Sequence, residues 1–413
     1  MSNEMKWQKS ELDPRLLSLS ADNSFIANCS SPRSVMHMNH MSSRPSLLYP
    51  EKKQSVIAGI EYELGKTIDD VRAEEDYILR GIIPKYPALG ENNPEVSLLV
   101  EFERLNEKTG QMEIWLDLVK VPMYKSKHSY FGYRLTPTEV LTEARHGSLI
   151  PKGSVLAKTD SLHDDGSYMS GINATVVAMS HPATADDGYA VSESFLEKLK
   201  FTSFPKRVID IDKNSIPLNL FGDNKYFKMF PDIGETVKAG GLLCAVRQRD
   251  DMFCITDMSN DDIKRVDFTF DHPTFVGHDE AVVVDITIHR GHESRIVFSE
   301  NMTEQLDHYV QLNVGYAERI QRQYELAVKD LKGKYGVNFF PNLTPRLICT
   351  VKDEMIYKES IINKRRHNLR KREIDQYRIE IVLMAVVKPD LAFKLSDNHA
   401  GKGVFCRVLP DEQ

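Results

Sequence analysis

Short strand-like runs repeat through most of this chain, and one long stretch of three- and four-residue spacing interrupts them. Ser97-Leu98-Leu99-Val100-Glu101-Phe102 and Ile114-Trp115-Leu116-Asp117-Leu118-Val119 flank Asn106-Glu107-Lys108-Thr109-Gly110. Apolar and β-branched runs around a polar, Gly-ended turn predict a hairpin. The strand pattern begins near 55–65. It continues over 137–200 in pieces broken by Gly and Pro, among them Ser154-Val155-Leu156-Ala157 and Thr175-Val176-Val177-Ala178. More short strands follow over 201–295, with turns near Asp232-Ile233-Gly234 and Gly240-Gly241. Over 303–334 the period changes. Leu306, Tyr309, Val310, Tyr316, Ile320, Tyr324, Val328 and Leu331 recur among charges, which predicts an amphipathic helix ended by Gly333 and Gly336. An apolar strand, Ile379 to Val387, and a Lys388-Pro389-Asp390 turn come last before a lysine-rich loop. Residues 1–50, rich in Ser, Asn, Met and Pro, read as structured loop or as a short helix that needs neighbours. The fold class expected from this order is α+β and β-rich.

The 413 residues suffice for two or three domains with a large core. Sixty acids against 53 bases give a net charge of −7. That balance speaks against a protein that coats nucleic acid with its whole surface, and it leaves room for a local basic channel. Cys29, Cys244, Cys254, Cys349 and Cys406 are scattered, with no C-x-x-C pair. Reduced thiols are expected rather than a structural zinc site. The N-terminus, MSNEMKWQKSELDPR, is charged and has no apolar core, so no signal peptide is expected. The apolar run Ile381–Val387 is far too short to span a bilayer. A soluble intracellular protein with no membrane partner is the reading.

Five segments are candidates for chemistry. Lys394-Leu395-Ser396-Asp397-Asn398-His399-Ala400-Gly401-Lys402-Gly403-Val404 places two lysines around a polar, Gly-rich loop. Lysine is a flexible point charge for phosphate, and glycine lets backbone approach closely; the bland alternative is a solvated surface turn. Asp186-Asp187-Gly188 is either a carboxylate pair that touches a divalent metal or a basic partner, or simply an Asp-Gly turn. Arg33, in Pro32-Arg33-Ser34-Val35-Met36-His37-Met38-Asn39-His40, suits bidentate contact to a phosphate. His37 and His40, three apart, make a poor metal set without a thiolate or carboxylate beside them. Gly59-Ile60-Glu61-Tyr62-Glu63-Leu64-Gly65-Lys66-Thr67 imitates a Walker A loop, but five residues separate its glycines and two of them are glutamates. Lys364-Arg365-Arg366 and Arg370-Lys371-Arg372 form a basic stretch, read as a solvated face or as a nucleic-acid backbone contact.

Taken in order, these segments resemble the β subunit of multisubunit DNA-dependent RNA polymerases. The lysine loop is similar to the family's "GDKxxGRHGNKGV", with both lysines in register. Asp186 and Asp187, followed by Val191-Ser192-Glu193, resemble "GYNFEDAIxxSE". Arg33, Met36 and Asn39 fall in register with "FxxHxDxxRxxMxxNMQ", and residues 55–65 with the "GTGMEY" strand. Gly153-Ser154-Val155-Leu156-Ala157 with Asp160 and Asp165-Gly166 resembles "GDVLADGxSTDxGE". Departures are specific. The family's "GD" reads Ala392-Phe393, its "GRHGN" reads Asp397-Asn398-His399-Ala400-Gly401, and its His and Asp before the arginine read Asn28 and Ser30. Such drift resembles the split β subunits of giant-bacteriophage RNA polymerases.

The resemblance implies a β-type double-ψ β-barrel, incomplete in this chain, with an inserted flap-like domain of strands and a long helix. It divides the chain into an N-terminal region (1–150) carrying the Arg33 segment, barrel strands with the acidic pair (151–202), a flap-like insertion (203–377), and a barrel strand with the lysine loop (378–413). It implies one subunit of a DNA-directed RNA polymerase, a nucleotidyltransferase inactive alone. Lys394, Lys402, Asp186 and Asp187 would serve catalysis. Arg33, Asn39, His399 and the two basic clusters would contact nucleotide or nucleic acid. Mg2+ would be held mainly by aspartates of a β′-like chain, with Asp187 near the second ion. Further chains would supply the N-terminal half and C-terminal end of β. DNA template, RNA, NTPs and a promoter-specificity factor complete the implied partners, in a host cytoplasm or a virion. Two other classes stand beside this one: a non-catalytic structural paralogue, and a stand-alone nucleic-acid-binding module.

Overall fold

The expected hairpin forms the spine of one half of the molecule. Glu95–Leu105 pairs antiparallel with Met112–Pro122 along its whole length, Glu95 opposite Pro122 and Leu105 opposite Met112. Tyr77–Pro84 and Leu149–Ile150 extend this sheet on one side, and Asn342–Leu343 joins it in parallel on the other. The structure is a computed structural model and describes residues 29–52, 60–66, 70–126, 132–180, 182, 184, 187–223, 225–248, 266, 271–291, 300–349, 374–397 and 401–412.

A second five-stranded sheet is built around Tyr377–Val387. The residues of this strand alternate between buried and partly exposed positions, as a strand with one core face requires. Ala281–Arg290 pairs along one edge; Phe201–Ser203 and Lys206–Ile211 share the other. Thr236–Val237 closes the sheet. The chain is thus β-rich with few helices, and its two large sheets curl into half-barrels. The apolar strand pairs near one end with Phe201–Ser203 and along the rest with Lys206–Ile211 and Ala281–Arg290.

One helix, Glu300–Tyr335, packs on both sheets. At 36 residues it is about 54 Å long. Leu306, Tyr309 and Val310 enter the core of the second sheet. Tyr316, Ile320, Ala327 and Leu331 enter that of the first. All but Ala327 are positions whose spacing predicts the helix, and the predicted Tyr324 and Val328 pack against the same core. The helix passes through Gly333 and stops at Gly336, whose φ of +106° is open to glycine and closed to most residues.

A buried ionic knot joins the two halves. Lys85 Nζ lies 2.8 and 2.9 Å from the two Asp285 carboxylate oxygens. The Tyr86 hydroxyl donates to the same carboxylate at 2.8 Å, and the Tyr124 hydroxyl at 3.4 Å. Burial, reinforced by the Asp285 charge, pushes both phenols up, so they remain protonated donors.

Two expected strands do not form among the described residues. Ile60–Gly65 is a short helix, with Glu61 and Leu64, three apart, turned inward. Residues 53–59 of the expected 55–65 strand lie outside the described set. Thr175–Ala178 has the composition of a strand but pairs with no other strand among the described residues. Propensity alone makes no strand; a pairing partner does.

Candidate functional site

The lysine loop is the tip of a hairpin. Lys394–Ser396 pairs antiparallel with the first part of Lys402–Leu409, Lys394 opposite Val404 and Ser396 opposite Lys402. This register puts Lys394 and Lys402 on one face as diagonal neighbours, roughly 7–8 Å apart at that spacing. Both are exposed, and neither has an acidic partner among the described residues. Leu395, on the opposite face, packs with buried Phe405 into a small core.

Three backbone devices fix the hairpin. The Asp397 carboxylate accepts a hydrogen bond from Gly401 N at 2.7 Å, while Asp397 N donates to Gly401 O at 3.0 Å. The tip is therefore closed from within. Below it, Ala392 N donates to Phe405 O at 3.0 Å, and Phe405 N donates to Phe393 O at 2.9 Å. Two residues thus oppose one, a β-bulge of the kind that re-aims the strand beside it. Ala392 has φ +69°, the one non-glycine residue in the left-handed region among those described. It occupies the third position of a turn closed by Phe393 N to Asp390 O at 3.2 Å, a position that favours glycine.

The acidic segment comes to the hairpin through the chain's parallel pairing of Gly188–Ser192 with Lys402–Leu409, Gly188 opposite Val404. Val404 N donates to Asp187 O at 3.2 Å. A Cβ at Gly403 would lie 1.9 Å from that oxygen and 2.4 Å from the Tyr189 ring, so only glycine allows this approach. Asp187 is exposed beside it. Ser192 caps the helix Glu193–Lys198, its hydroxyl accepting from Phe195 N at 3.3 Å. Asp411 accepts from Ser194 N at 3.1 Å and pins the far end of the long hairpin strand to the same helix.

Val191, Leu196, Leu199 and Phe405 form the small core, with Leu47, Ile172, Leu395 and Val408 packed on it. Leu47 also bridges Phe201, and Leu48 N donates to Lys200 O at 3.0 Å. The segment that follows the Arg33 helix, Ser31–Ser43, is thereby tied to the core that seats the hairpin. Arg33 and Asn39 are exposed on that helix, and His37 is buried beneath them. The core thus gathers the anchors of the arginine segment, the acidic segment and the lysine loop.

Asp186, His399 and the clusters Lys364-Arg365-Arg366 and Arg370-Lys371-Arg372 lie outside the described residues. Sequence reading gave no site role to four positions. Arg407 is an exposed third cation, also without an acidic partner among the described residues. Its neighbour Val408 packs on the small core, so Arg407 points to the lysine side. Asp397, four residues before Gly401, has the spacing of a loop closure. The loop's glycines suggest close backbone approach, but which backbone Gly403 meets shows only once its parallel neighbour is known, and the residue type of Ala392 gives no hint of its positive φ, since alanine rarely adopts one. Magnesium takes near-octahedral oxygen ligands. Among the described residues no three His, Cys, Asp or Glu side chains gather to hold an ion, so Asp187 alone makes no metal site. No family model matches this chain, and no curated protein does.

Proposed function

We propose that this chain is a subunit of a DNA-directed RNA polymerase and supplies the β side of its active centre. One observation carries the reading: segments far apart in sequence converge on one small core, and the hairpin seated there turns two uncompensated lysines outward. Phosphoryl transfer accumulates negative charge on the transferred group and the leaving pyrophosphate, so fixed cations are the chemistry it needs. Lys394 and Lys402 would contact the phosphates of the RNA 3′ end or the incoming nucleotide. Arg33 would help hold the triphosphate. The left-handed backbone at Ala392 adds support, because the resembling motif has glycine at that position. In this reading the two curled sheets include the β-type double-ψ barrel, with strands from other chains completing it. Mg2+ would be held by a β′-like chain, where it would supply Lewis-acid chemistry; Asp187 would approach it from this side.

The test is reconstitution of the complete complex with Lys402→Ala. Nucleotide addition should fall at least tenfold, about 1.4 kcal/mol of transition-state stabilisation, with assembly intact. Wild-type addition rates would leave a structural paralogue as the better reading. Tight DNA or RNA binding by the isolated chain would point to a stand-alone nucleic-acid module.

A further inference from the structure

Ala174–Ser180 is the most exposed apolar run among the described residues. All seven positions are exposed, with Val176 at 71%, Val177 at 72% and Met179 at 65%. Among the described residues, no backbone hydrogen bond engages any of them. The run begins from a fixed root. Ile172 packs on the small core, and Asn173 donates from its backbone to Glu51 at 2.9 Å and from its side chain to Lys52 O at 2.6 Å. Paired as a strand, the run would alternate its side chains between faces, so Val176 and Val177 would make both faces apolar. A strand apolar on both faces belongs inside a sheet with cover above and below.

We infer that Ala174–Ser180 is an intermolecular strand, added to the sheet edge of a different polypeptide that supplies both the pairing backbone and the apolar cover. A second copy of this chain fits poorly. Two bare strands about 23 Å long, at 3.3 Å per residue, would bury only a few hundred Å2, roughly, against the 1,000 Å2 that a specific interface needs. They would also form a two-stranded ribbon with open faces, which is marginal in water. The partner therefore brings a formed sheet. The run carries no Asp, Glu, Lys or Arg, so the contact is apolar and backbone-mediated, and insensitive to salt.

The experiment compares the full chain alone with the complex isolated from its native source. In the isolated chain the amides of Thr175–Met179 should exchange with solvent rapidly; in the complex they should slow at least a hundredfold and resist a wash at about 1 M salt, where exposed charge pairs are screened. Val177→Asp should leave the melting temperature of the isolated chain unchanged and lower partner retention at least tenfold. A photo-crosslinker at Val177 should join a strand of a different chain. Four outcomes would overturn the inference: slow exchange in the isolated chain, fast exchange in the complex, a crosslink to a second copy, or a chain that is solitary in its source. The polymerase reading fails separately. Protected amides in a complex that adds no nucleotides leave the strand standing, whereas an active complex with fast amides removes only the strand.

Discussion

The Asp285 knot and the lysine hairpin handle charge in opposite ways. Around Asp285, one carboxylate is enclosed by an ammonium and two phenols and is nearly hidden from water. On the hairpin, Lys394 and Lys402 stand in solvent with no carboxylate against them among the described residues, although acids are plentiful in this chain. The first arrangement spends its electrostatics inside the molecule and joins its halves. The second leaves a field directed outward, and its closest designed contacts are backbone ones that hold the shape of the loop. The first charge is satisfied within the fold; the second stands on a hairpin whose backbone is fixed and whose cations face solvent.

Stability should respond strongly at the knot. Asp285→Ala strands a buried ammonium and two hydroxyls, and breaking a buried pair of this kind costs about 3–5 kcal/mol. Thermal unfolding should show a large drop in midpoint; a change within error would mean that other contacts, such as the long helix and the Tyr124–Phe204 ring stack, hold the halves. A smaller effect is expected at Glu380, which is partly buried beside Lys206 at 2.6 Å, Arg378 at 3.2 Å and His289 at 3.8 Å. Burial raises this carboxyl, but the nearby His289 ring together with the hydrogen bond and charge of Lys206 outweighs it and lowers it to about 2. A carboxyl lowered by folding stabilises above its unfolded value near 4.5 and loses that contribution as pH falls toward 2. Wild type should lose roughly 2–3 kcal/mol across that window relative to Glu380→Gln; parallel pH profiles for the two proteins would exclude the linkage.

The hairpin should show the reverse pattern. Lys402→Ala is expected to leave the unfolding midpoint within about 0.5 kcal/mol of wild type, as for surface substitutions generally, while nucleotide addition falls as stated above. A loss of stability comparable to the knot's would make Lys402 structural. The smallest effect belongs to Ala392→Gly. Glycine relieves the left-handed backbone, worth about 1 kcal/mol, but also loosens the unfolded chain. A net gain of a few tenths to about 1 kcal/mol is expected in chemical denaturation; destabilisation would show that the Ala392 methyl group packs usefully.

Local pattern made some of this legible. The 95–122 hairpin announces itself through its β-branched runs around Asn106–Gly110, and the long helix through eight apolar positions that all find a core or its margin. Pattern fails where the cause is distant. Ile60–Gly65 reads as strand, yet Glu61 and Leu64 are drawn inward together as a helical turn. Thr175–Ala178 reads as strand because its composition is right, and the described chain offers nothing to pair with it. At the candidate site the lysines were visible in sequence, but their common face depends on the register of Lys394 with Val404. Their nearness to Asp187 depends on a parallel pairing across more than two hundred residues. Gly403 is compulsory only because of that neighbour.

That parallel pairing also sets a clock on synthesis. Gly188–Ser192 leaves the ribosome more than two hundred residues before Lys402–Leu409 exists. At about 5–20 residues per second, the wait is roughly 10–40 s. Through that interval Val191, Leu196 and Leu199 have no Phe405 or Leu395 to cover them. The nascent chain therefore carries a sticky, half-made pocket through the latter part of its translation. Its yield in a cell should depend on chaperone occupancy during those seconds as well as on the stability of the finished fold.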